Sequence, residues 1–159
     1  MDKKIQKAND LAYNYYQEYG TCSQCVIAAM MEVMEIDLSN LVKSAHFLAG
    51  GGCLMGEGTC GALAGGELVL GHYFGREREE FAQGKFRERL LPGKELWEKF
   101  KLEFGGTSCN WFKEKYTGKQ FDMWNNENVA EYKKLMKQEC ATMTGKVAGW
   151  IVELILQSK

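Results

Sequence analysis

Apolar positions in this chain recur every three or four residues over most of its length, and no segment shows sustained two-residue alternation. That periodicity predicts helices and no sheet. Ile5, Ala8, Leu11, Ala12, Tyr15 and Tyr16 share one side of a helix predicted over 2–18, which Gly20 stops. A second helix is expected from Thr21 and Cys22 to about Glu35, burying Cys22, Val26, Ala29 and Val33. Ser39 reads as the N-cap of a short third helix ending at Ala49.

Between Gly50 and Gly75 the texture changes, and more than half of the chain's 18 glycines crowd there. The first part reads as a loop, because glycine is costly in a helix and cheap at positive φ. A helical pattern resumes at Thr59, whose hydroxyl is a candidate cap. Gly61 and Gly65, then Gly71 and Gly75, are four residues apart and leave a bare strip. This helix is expected to be central, with neighbours on more than one side.

Residues 76–91 read as a charged, solvated helix. Pro92 starts the next one, through Glu95, Leu96, Phe100 and Phe104 to a stop at Gly105 and Gly106. Ser108 caps a helix that opens with Cys109 and closes at Gly118. The last helix runs from about Glu127 to Leu156, its stripe being Val129, Tyr132, Met136, Cys140, Met143, Val147, Ile151 and Leu154. With no repeat or domain boundary in view, the expectation for 1–159 is an all-α, single-domain bundle of about seven or eight helices. A Gly-rich loop precedes its central helix.

Composition narrows the function classes. A formal net charge of -1 with no long basic run gives no field for nucleic acid. The N-terminal residues show no apolar signal core, and the apolar run from Val147 to Leu156 carries Glu153 and is too short to span a bilayer. The expectation is a cytoplasmic protein without membrane insertion. In that compartment thiols stay reduced, so the 6 cysteines point to metal or redox chemistry rather than a disulfide framework.

Cys60 stands out, because it follows the glycine loop and opens the central helix, where backbone N–H groups and the helix dipole favour a thiolate. Cys109 and Cys22 open helices in the same way. Cys140, alone, reads as core packing. Together, four thiols on separate helices can converge on a tetrahedral sulfur site. Their wide spacing is not that of a zinc ribbon or a bacterial ferredoxin, so convergence requires the tertiary fold. Cys22 and Cys25 form a C-x-x-C at a helix start, which also suits thiol–disulfide exchange, and Cys53 in the loop is a candidate resolving thiol. Residues 56–61 satisfy G-x-G-x-x-G, but no strand precedes them, so no dinucleotide site is read there. His46 and His72 read as surface residues, and the aromatic and Met content as core.

The segments Gly20-Thr21-Cys22, Gly50-Gly51-Gly52, Gly58-Thr59-Cys60-Gly61-Ala62-Leu63-Ala64-Gly65, the lone Cys109 and Cys140 resemble the redox-active family named for its C-GCAxxG-C-C pattern. A related domain occurs in split-Soret cytochromes c, whose cysteines are associated with an iron–sulfur centre. The resemblance implies that Cys22, Cys60, Cys109 and Cys140 are cofactor and metal ligands, with Gly58 and Gly61 in the binding loop. The cofactor taken is a [2Fe-2S] iron–sulfur cluster serving electron transfer or redox sensing. Cys25 and Cys53 lie outside the pattern, and no haem motif is present.

Two alternatives stay open. One is a thiol–disulfide oxidoreductase using Cys22 with Cys25, or Cys60 with Cys53. The other is a structural zinc site in an interaction module. Occupation by zinc or by no metal, an unidentified redox partner protein and a homodimer through the glycine-lined helix all remain compatible with the sequence.

Overall fold

Gly65 and Gly66, adjacent on one helix, set how the bundle packs. The structure is a computed structural model and describes residues 2–84 and 86–158. Met1, Lys85 and Lys159 lie outside the described residues, and the readings of the N-terminus and of 76–91 are followed on the others. Among the described residues seven α-helices appear in order: α1 Asp2–Tyr19, α2 Cys22–Met34, α3 Ser39–Ser44, α4 Gly61–Phe74, α5 Leu91–Phe104, α6 Cys109–Thr117 and α7 Asn126–Gln157. Short 3-10 turns occupy Ala45–Leu48, Arg78–Glu80 and Arg87–Leu90. No strand occurs among the described residues, and the fold is all-α as the periodicity predicts.

A Cβ at Gly65 would stand 2.5 Å from Ser23 O on α2, and one at Gly66 would stand 2.9 Å from Val147 Cγ1 on α7 and 3.0 Å from Leu96 Cδ2 on α5. The bare positions thus admit α2 on one side of α4 and α5 with α7 on the other. Gly71 meets nothing within 4 Å and Gly75 ends the helix, so the strip works only in its first half. α7 lies along α1, where a Cβ at Gly145 would come 2.8 Å from Asn9 O. The core between these layers is built from Ile27, Leu63, Leu96, Phe100, Phe112 and Ile151, with Phe100 and Phe104 tilted at 4.9 Å between ring centroids.

Helix ends follow the local chemistry. Pro92 sits in the first turn of α5, and Gly105 closes it at φ +87°. Ser108 accepts from the Trp111 amide at 3.2 Å, and Asn125 accepts from the amides of Glu127 and Asn128.

Four further expectations need correction. Residues 76–91 are not one helix. Gly84 at φ +126° breaks the run, Arg89 clasps Glu80 at 2.7 Å, and the Arg76 guanidinium lies 4.4 Å from the centroid of the Phe81 ring. Ser39 is not a cap, because its amide and hydroxyl both donate to Asp37 Oδ1. The third helix gives way to a 3-10 turn at Ala45, whose carbonyl accepts from the buried Ser23 hydroxyl at 2.8 Å. Thr59 does not cap α4 either; Cys60 holds the N-cap position with no side-chain cap bond. No helix among the described residues is long and apolar enough to cross a membrane.

Candidate functional site

A short backbone clasp brings two helix starts side by side. Thr59 and Ser108 form an isolated antiparallel bridge. The Cys60 amide donates to Thr107 O at 2.7 Å, and the Cys109 amide donates to Gly58 O at 3.2 Å. The loop can fold this tightly because Gly51 has φ +78° and lies so close to α6 that a Cβ there would be 2.9 Å from Cys109 Cβ. α2 comes in across Gly61, where a Cβ would overlap the Cys22 sulfur. Cys140 enters from the middle of α7.

These four cysteines line one cavity of about 430 Å³. Cys25 and Cys53 are not on its wall. All six thiols are free. Among the described residues, no group of three or more His, Cys, Asp or Glu side chains is arranged to hold a metal ion.

Burial governs their acidity. It pushes Cys60 well above the ordinary thiol value, Cys109 to about 12 and Cys140 to about 11, and it also raises Cys22. Backbone N–H groups pull the other way, from Gly50, Ser23, Cys22 and Ala62 onto Cys22 and from Ala62 onto Cys60. The expected amide stabilisation of thiolates is therefore present, but desolvation outweighs it. Neighbouring sulfurs also raise Cys60, Cys109 and Cys140, since each disfavours negative charge beside it.

Cys25 is placed differently. Its thiol donates to Gly20 O at 2.8 Å, and burial pushes it to about 12. Cys53 is exposed on the loop, at φ +49°. Gly61 lines the cavity as the sequence implies. Gly58 acts indirectly, since its amide is bonded to Gly51 O at 2.9 Å and its carbonyl holds the Cys109 amide. His46 and His72 are exposed.

Three site residues escaped the sequence reading. Lys113 is 1% exposed, lines the cavity, and lowers the Cys109 thiol against its burial. Tyr132 shares a 3.1 Å hydrogen bond with Cys140 Sγ, and Tyr16 faces the same sulfur. The signal was helical spacing: Lys113 lies one turn beyond Cys109, and Tyr132 two turns before Cys140. Tyr16 and Tyr132 had been absorbed into the apolar stripes.

Comparison with curated proteins and with solved structures returns no match. A family model matches residues 20–154, from the left-handed turn before Cys22 to the end of the α7 stripe, and so takes in all four cavity cysteines. The chain therefore belongs to the family described as "Putative redox-active protein (C_GCAxxG_C_C)".

Proposed function

We propose that this protein transfers or senses single electrons through an iron–sulfur centre held by Cys22, Cys60, Cys109 and Cys140, with a two-iron cluster as that centre. The observation that carries the reading is selective convergence. Of six thiols, the four on separate helices line one cavity, and the two outside the family pattern do not. When bound, such a centre supplies a site that takes up and releases one electron.

The residues present fit that group. The donor set is all sulfur, which suits iron–sulfur ligation. A single ion with bonds of about 2.3 Å would need sulfurs packed in a tight tetrahedron, and a multi-atom centre suits thiols on the wall of a 430 Å³ cavity better. The amides of Gly50, Ser23 and Ala62 offset negative charge on sulfur. Phe112, Met136 and Met143 screen the site from bulk water. Thiol–disulfide exchange finds less support, because Cys25 is off the cavity, bonded to a carbonyl and held protonated near neutral pH.

The test is anaerobic reconstitution with iron and sulfide, read by visible absorption and iron analysis. The expected result is a coloured protein with two irons per chain, and loss of most of the colour in Cys60→Ser. A colourless, iron-free product overturns the reading. One bound zinc with no reducible iron, whether the protein is reconstituted or purified anaerobically from iron-replete cells, would instead favour a structural zinc site.

A further inference from the structure

Among the described residues, Lys113 is the one charged side chain that is fully buried. Its Nζ has Asn110 Oδ1 at 3.3 Å, a long contact with a neutral acceptor, and stands 5.8 Å from the centroid of the Tyr132 ring. No carboxylate of the described residues lies within 4.0 Å of it. A buried ammonium without a counter-charge is costly. The charged residues on the cavity wall do not supply one, since Lys113, Lys133 and Lys137 face a single acid, Glu18. Glu18, Lys133 and Lys137 are exposed to solvent, which leaves Lys113 as the buried charge of the wall.

Building on the iron–sulfur reading, we propose that Lys113 is the counter-charge of the four-cysteine site and raises the reduction potential of a centre bound there. Lys113 is a positioning residue in this role, acting on the electron through its field rather than as a ligand. A positive charge in a poorly hydrated wall favours the more negative, reduced state. Asn110 holds the ammonium in place, and Tyr132 offers it a ring face.

The test compares wild type with Lys113→Arg, Lys113→Gln and Lys113→Met. In reconstituted protein, mediated redox titration reads the midpoint potential. Lys113→Arg should keep it, while Lys113→Gln and Lys113→Met should lower the equilibrium constant for accepting one electron at least tenfold, about 59 mV. Far-UV circular dichroism checks folding; should Lys113→Met fail it, Lys113→Gln, which preserves a polar contact with Asn110, decides. Equal potentials in wild type and Lys113→Gln overturn the proposal. If wild type takes up no iron, the iron–sulfur reading fails and this role of Lys113 falls with it, whereas equal potentials in loaded proteins overturn the role of Lys113 alone.

Discussion

Gly61 shows how a missing side chain can serve a site. A methyl group there would overlap the Cys22 sulfur, so α2 could not bring that thiol to the cavity. Gly61→Ala should therefore destabilise the protein by about 1–3 kcal/mol, the usual range for overpacking, and should lower iron uptake in parallel. Gly71→Ala is the matched control. It sits on the same helix with nothing within 4 Å, and the substitution should stabilise by about 0.4–1 kcal/mol through reduced freedom of the unfolded chain. Urea denaturation of both variants checks the pair, and an equal effect at the two positions would contradict the close approach. The choice between 61 and 71 was not legible in the sequence, because both glycines show the same spacing and only a packed neighbour separates them.

At the scale of elements, local chemistry predicted most boundaries. Gly20, Gly105 and Gly118 each follow a helix with positive φ, and Pro92 lies in the first turn of α5. The stretch 76–91 misled because its charges fit a solvated helix, whereas the chain is held by tertiary contacts outside any local pattern. Arg89 reaches back to Glu80 and to Gly75 O at 3.3 Å. That pair lowers the Glu80 carboxyl below its ordinary 4.5, chiefly through the Arg89 hydrogen bond. A carboxyl lowered in the folded state contributes stability above its unfolded value, and that contribution is lost as pH falls through the lowered one. Amide protection in 77–90, relative to α4, should therefore decline below about pH 4.5 in wild type. In Glu80→Gln it should be low throughout and lack that step. Protection that falls equally in both proteins would show that the clasp does not hold the segment.

For the whole molecule, the core extends beyond the site. Phe100, Leu63, Ile151 and Leu154 are buried away from the cavity wall. Iron-free protein should keep its far-UV spectrum and melt lower than the loaded form. Loading to 100-fold above Kd adds about 2.7 kcal/mol, or roughly 5–10 °C for a domain of this size. Loss of helix on chelation would mean that the metal is needed for the fold itself. The sequence determined most of the helices and their stops, the Ser108 cap, and which cysteines follow a recurrent pattern, because these depend on residues within a few positions of one another. Only the tertiary structure decided that α4 starts beside α6 through the Thr59 and Ser108 bridge, that four thiols share a cavity while two stay out, and that Lys113 stands among them. Those facts depend on side chains meeting across long stretches of chain, where the shape of neighbouring helices, and not local propensity, selects the partners.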